Sequence, residues 1–323
     1  MKQVATAHGS ETPPTSTAIV SCSAACPMCG LVGTQYRLNP RQFWHTHRDV
    51  DLQPSGYQFR AGAQGVHPPL LAMWHCTGCR FTAESADFQA PLKGVLIRLD
   101  SVASWVKEAA STEAAFRVTL EKLGEGIQLA SLNFYQAMKL HLLALRIWDF
   151  IGSRVKQDYL TQAKYSMLLA WLYRDMGTVD GARPQTAAQL DRLIAELRGV
   201  WPALPATEEA ALRQAIGYYE ASLAITTFSK DPMNEVSALQ RIGRIQIKLA
   251  EWGRARENLR RSTMQARAAA TEIRQQLAVR GNQAGRVEVT GSAREELVDR
   301  ERRLLAFVDD EQRLSDLIRE QQA

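Results

Sequence analysis

The chain has 323 residues, a net charge of +5 and a pI near 9.0. That length is enough for two domains with separate cores, and so mild a positive charge does not argue for nucleic acid as a partner. No run reaches the roughly 20 apolar residues of a membrane span, since Arg146 and Asp149 break the strongest candidate. The first residues also lack the basic and apolar regions of a secretion signal. A cytoplasmic location is therefore expected, where thiols stay reduced and paired cysteines favour metal over disulfides.

Residues 1–21 are rich in Ser, Thr, Pro and Ala without any period, which predicts a disordered tail. The five cysteines and most of the histidines fall within residues 22–90. Short aromatic runs such as Met73-Trp74 predict a small strand-containing domain there. Four of the cysteines form two Cys-x-x-Cys pairs, Cys26 with Cys29 and Cys76 with Cys79. Each pair can present two thiolates from one tight turn, and two such turns supply the tetrahedral shell of a structural zinc ion. The 46 residues between the pairs exceed the roughly 15 to 20 of a compact ribbon, so the fold must bring the turns together. Arg80 would offset part of the negative charge of four thiolates. A thiol-disulfide enzyme would instead carry one pair at a helix N-terminus. Cys22 is the odd thiol.

Between the pairs, His45, His47, Asp49 and Asp51 alternate along the chain. In an extended strand they share one face and could bind a divalent metal with open positions. A polar solvent-facing strand, or acids that orient the zinc turns, is the plainer reading.

From about Ala103 the apolar spacing becomes helical. Breaks are expected at Gly152-Ser153, Gly177 to Pro184, Trp201 to Pro205 and Lys230 to Pro232, with a weaker one from Gly281 to Gly291. The helices between them are expected to be about 11 to 25 residues long and joined by short connections, the pattern of stacked hairpins. His141 reads as a packed core residue. Ala215 to Leu223, and then Leu239, Gly243, Trp252 and Ala255, look like tetratricopeptide units, which repeat at about 34 residues. Hairpins of that kind stack to form a curved groove. Aligned on the repeat, Lys164, Trp171, Arg174, Gln240, Arg244 and Lys248 are the expected groove contacts, suited to an acidic peptide segment or a free carboxylate. The alternative is a solvated face balanced by Glu251 and Glu257. In the last helix, Leu297, Leu304, Phe307, Leu314 and Ile318 form an apolar stripe that would dock on the chain itself or on another chain.

The Cys-Pro-x-Cys-Gly turn, Arg48 to Leu52, His67-Pro68, Trp74 to Cys79 and Leu168 to Arg174 together resemble the bacterial family called domain of unknown function 2225. The resemblance implies a metal-binding head and a helical-repeat body, with no agreed activity. Thr77 and Arg80 stand where that family usually has Pro and Gly, and His67 stands where it has Asn.

The expected fold is mainly α: a zinc-ribbon-like domain at 22–90, tetratricopeptide-like α-helical hairpin repeats at 100–280 and an amphipathic helix at 292–323. The expected function is a non-enzymatic scaffold that binds another protein. The alternatives are a nucleic-acid-binding regulator working through the zinc head, which lacks a basic stripe, and a metal-dependent enzyme using His45, His47, Asp49 and Asp51.

Overall fold

A computed structural model describes residues 18–60, 67–89, 99–154, 159–178, 183–225, 231–283 and 291–322. Residues 1–17 of the expected tail lie outside these, as does most of the weak spot between Gly281 and Gly291. The first strand begins at Ile19, inside the stretch read as tail.

Among the described residues, six strands form three two-stranded sheets. In the first sheet β1 (Ile19–Ala25) runs antiparallel to β2 (Val32–Leu38), with Cys22 opposite Gln35. The second sheet is β3 (Phe43–Arg48) with β4 (Pro54–Phe59), and the third is β5 (Met73–His75) with β6 (Thr82–Glu84). The helices are α1 (Ser85–Gln89), α2 (Leu99–Thr112), α3 (Ala114–Gly124), α4 (Phe134–Arg154) and α5 (Tyr159–Thr178). They continue as α6 (Arg183–Leu197), α7 (Glu208–Leu223), α8 (Pro232–Lys248), α9 (Trp252–Gln283) and α10 (Gly291–Gln322). The protein is thus mainly helical with a small strand region at its N-terminal end.

The chain divides into two compact units whose segments interleave in sequence. The first comprises Met1–His47, Pro54–Val155 and Leu168–Glu208, and the second Arg48–Gln53, Lys156–Met167 and Glu209–Ala323. The strand region falls in the first unit, apart from residues 48–53. Trp74 of β5 meets Phe88 of α1 with ring centroids 5.8 Å apart, and Phe81 contacts both Phe88 at 5.5 Å and Trp148 of α4 at 6.5 Å. All four rings are buried, each contributing about 1.5–3 kcal/mol by leaving water. The head therefore closes its core on α4.

Helix α4 is buried along most of its length, as expected of a helix that is apolar all round. Two polar side chains fit into it. Arg146 lies between the rings of Phe116 and Trp201, 5.4 and 5.5 Å from their centroids, where a guanidinium gains from the ring faces. His141 is core, as expected. Its Nδ1 lies 2.8 Å from the Ala137 carbonyl, and burial pushes its pKa down to about 4.

In the second unit, the break before α8 is a built cap. Asp231 accepts a 3.0 Å hydrogen bond from the Met233 N–H, with Pro232 at the first helical position. Helices α8 and α9 form a hairpin that meets closely at Gly243. A Cβ there would fall 2.8 Å from Leu259 Cγ and 3.4 Å from the Ala255 carbonyl. Small Gly243 thus sits at a close helix crossing, as the spacing predicts. Helices α9 and α10 each run 32 residues, longer than expected for α9 and of the expected length for α10. From Arg254 to Arg280, α9 carries neither Gly nor Pro and is rich in strong helix formers. The α10 stripe docks within its own unit: Leu304 packs with Val236 and Ile273, and Leu314 and Ile318 pack with Ile247 and Leu259.

Candidate metal centre

The first Cys pair lies in the turn joining β1 to β2, and the second in the turn joining β5 to β6. The two turns share one hydrogen-bond plan. Cys26 N–H donates to the Leu31 carbonyl and Gly30 N–H to that of Cys26; Cys76 N–H donates to Phe81 and Arg80 N–H to Cys76, all at 2.8–2.9 Å. Both turns end in a left-handed residue, Gly30 at φ +77° and Arg80 at φ +65°. A glycine would fit the Arg80 backbone without strain, whereas an L side chain there costs about 1–2 kcal/mol. Arg80 offsets that cost by packing its stem on α3, where Gly124 leaves room. A Cβ on Gly124 would fall 2.6 Å from Arg80 Cδ.

The fold brings the turns together through a residue that the sequence reading passed over. Gln35 in β2 is 3% exposed and grips the backbone of His75 in β5 from both sides. Its Nε2 donates to the His75 carbonyl at 2.8 Å, and its Oε1 accepts the His75 N–H at 3.0 Å. One carboxamide thus replaces a pair of strand hydrogen bonds and locks the two hairpins next to each other. The His75 ring is fixed as well. Thr82 donates its hydroxyl proton to the Arg80 carbonyl at 3.0 Å, so its oxygen accepts from His75 Nδ1 at 2.8 Å. Burial, with Arg80 nearby, holds the His75 pKa down to about 4, so the imidazole is neutral at pH 7.

As a result, all four sulfurs lie within 4.8 Å of one another, Cys26 to Cys79 and Cys29 to Cys76 at 3.5 Å each. Metal–sulfur bonds of about 2.3 Å in a tetrahedron require sulfur–sulfur edges of roughly 3.8 Å, so the donor set fits a single ion with little movement. Among themselves the thiols share protons unevenly. The bond to Cys76 pushes Cys26 up to about 12, while hydrogen bonds from Cys26 and Cys79 hold Cys76 well below the usual thiol range. Cys79 is pushed up, first by its bond to Cys26. One thiolate is thus favoured within a group of thiols, where an entering cation would displace the remaining protons. Cys22 lies outside the group and donates its thiol to the Gln35 carbonyl at 3.7 Å.

The second expected cluster does not assemble. Strand β3 ends at Arg48, and the chain then turns: Asp49 N–H bonds the Gln53 carbonyl at 2.9 Å, and Leu52 takes φ +71°. Asp49 Oδ1 accepts from Val50 N–H at 2.6 Å, and buried Asp51 accepts from Gln53 N–H at 3.3 Å. The turn breaks the alternation that would have put His45, His47, Asp49 and Asp51 on one face. Among the described residues, the four cysteines are the only group of three or more His, Cys, Asp or Glu able to hold a metal ion.

The expected groove residues also fall differently. Trp171 and Arg174 belong to the first unit and Lys164 to the second. Arg174 donates to Glu208 at 2.6 and 2.8 Å. Gln240, Arg244 and Lys248 do share a face of α8, but that face is covered by the chain's own acids. Gln240 donates to Asp310 of α10 at 2.6 Å, and Arg244 pairs with the same carboxylate. Arg244 also donates to the Val50 carbonyl at 2.7 Å, and Lys248 meets Asp49 at 2.7 Å. At 8% exposure Arg244 is not on a solvated face either. Glu251 and Glu257, the acids expected to balance that face, pair instead with Arg213 and Arg260.

No helix among the described residues is long and apolar enough to cross a membrane. Neither the curated proteins nor the solved structures yield a match. A family described as an uncharacterized protein conserved in bacteria, domain of unknown function 2225, matches residues 20–280. With the match covering both Cys turns and α2 to α8, the chain belongs to that family.

Proposed function

We propose that this protein is a cytoplasmic, non-enzymatic interaction scaffold whose N-terminal turns are stapled by a structural zinc ion on Cys26, Cys29, Cys76 and Cys79. The observation that carries the reading is the gathering of four thiols where two hairpins meet. Four thiolates complete a tetrahedral shell and leave no ligand position for a substrate, and sulfur-only tetrahedral donor sets favour zinc or iron–sulfur over harder cations. The metal then acts on folding rather than on a reaction. The stacked hairpins supply the binding surface, and the tetratricopeptide-like crossing at Gly243 supports that comparison.

The test is cross-linking in the native cell followed by capture of the tagged full chain, with nuclease treatment and elemental analysis in parallel. The reading expects a protein partner that survives nuclease and one zinc per chain. Recovery of the chain alone, or only with nucleic acid, contradicts it.

A further inference from the structure

The acids that cover α8 include one from far along the chain. Residues 48–53 lead from β3 into β4, yet they fall in the second unit, while β4 and nearly all of β3 fall in the first. This turn meets α8 and α10 through charge and an apolar side chain. Arg244 donates to the Val50 carbonyl at 2.7 Å, and Lys248 Nζ lies 2.7 Å from Asp49 Oδ2. The Val50 side chain packs on the cluster of Ile247, Leu259, Leu314 and Ile318. The turn also carries bonds of its own. Asp49 N–H donates to the Gln53 carbonyl and Leu52 N–H to that of Asp49, both at 2.9 Å, and Gln53 N–H donates to the Asp51 carboxylate at 3.3 Å. Bonds internal to the turn survive its displacement, so it keeps its shape as it moves.

We infer that residues 48–53 form a detachable strap, which closes the apolar seam of α8 and α10 and uncovers it on lifting. Lifting leaves the buried guanidinium paired. Arg244 also pairs with Asp310 of α10, which in turn takes a hydrogen bond from Gln240. When the Val50 carbonyl departs, Arg244 keeps that carboxylate, so the severe loss that follows an orphaned buried charge does not arise. Lys248 and Asp49 are 29% and 33% exposed, so water can replace each partner and the pair holds the strap weakly. Val50 resists lifting, because its departure returns apolar area to water. Charge thus steers the strap and the valine seats it. Without Val50 over them, Ile247, Leu314 and Ile318 become reachable from solvent as one apolar patch. The strap goes beyond the scaffold reading and does not rest on it, since its test needs no partner.

The experiment measures binding of the uncharged apolar dye Nile red to the purified full chain, by fluorescence. Lys248→Glu turns the attraction to Asp49 into a repulsion without altering the turn. The expected result is about tenfold more bound dye than in the wild type, at unchanged melting temperature. Adding Asp49→Lys restores opposite charges and returns dye binding to the wild-type level. Val50→Ser, which removes the seat, raises dye binding as well. Unchanged dye binding in either single variant overturns the inference. A rise in Lys248→Glu that comes with a lower melting temperature also overturns it, because the turn is then a fixed part of the core. Failure of Asp49→Lys to reverse the rise overturns it too, since the ion pair is then not what fastens the strap.

Discussion

The thiol-bearing head of the first unit and the α8–α10 body of the second are held by different physics. The described strands of the head pair only as two-stranded sheets, and an isolated two-stranded hairpin is at best marginally stable in water. Its integrity rests on a few specific links: four sulfurs, the Gln35 clamp and a ring cluster on α4. The body has helices of 17, 32 and 32 residues joined along an apolar seam. Its stability is spread over many small contacts, none of which dominates. Single substitutions should therefore be severe in the head and graded in the body.

The largest effect is expected for Cys76→Ser. Structural zinc sites contribute on the order of 10 kcal/mol to folding, so the variant should lose its metal and the order of the head. Because Trp74 and Phe81 close on α4, amide exchange should also speed up in α4 while α8 and α9 keep their protection. Rapid exchange confined to the strands would show that the head folds independently of α4.

Next comes acid. His141 is neutral and buried, with a pKa of about 4 against an ordinary 6.5. The unfolded chain binds the proton first, so this residue's contribution is intact above pH 6.5 and is lost as pH falls toward 4. The total loss is about 3 kcal/mol. In urea titrations from pH 7 to pH 4, His141→Leu should flatten that decline; an unchanged slope would place the acid sensitivity elsewhere.

Gln35→Ala leaves the buried His75 N–H and carbonyl without partners, at a cost of about 2 kcal/mol. It should also weaken metal retention against a chelator, because the turns lose their alignment. Stability loss without faster metal release would separate the clamp from the site. The smallest effect is expected in the body. Gly243→Ala places a methyl group against Leu259 and gains helix propensity, for a net loss of about 1 kcal/mol with metal content unchanged. A gain in stability would mean that the hairpin is looser at this crossing than its geometry implies.

Several of these features were legible in the sequence because they depend on local chemistry. The two Cys turns, the break at Asp231-Pro232, buried His141 and the small residue at the helix crossing all follow from residue type and spacing. The α10 stripe was legible too, though not which surface it would cover. What the sequence hid was long-range. Gln35 looks like any polar residue of an alternating strand, and nothing nearby marks it as the bridge to His75. Asp49 and Asp310 lie 199 and 66 residues from the cations they meet, so an α8 face that looked open on paper is covered. The His45 to Asp51 alternation failed because four residues of turn geometry at its end outweigh the period of the strand before it.

X-ray absorption at the zinc edge of the purified full chain tests the central claim most directly. The account predicts one zinc per chain in a shell of four sulfurs at about 2.3 Å. A shell containing nitrogen or oxygen ligands, or a chain that folds its head with no metal bound, would contradict it.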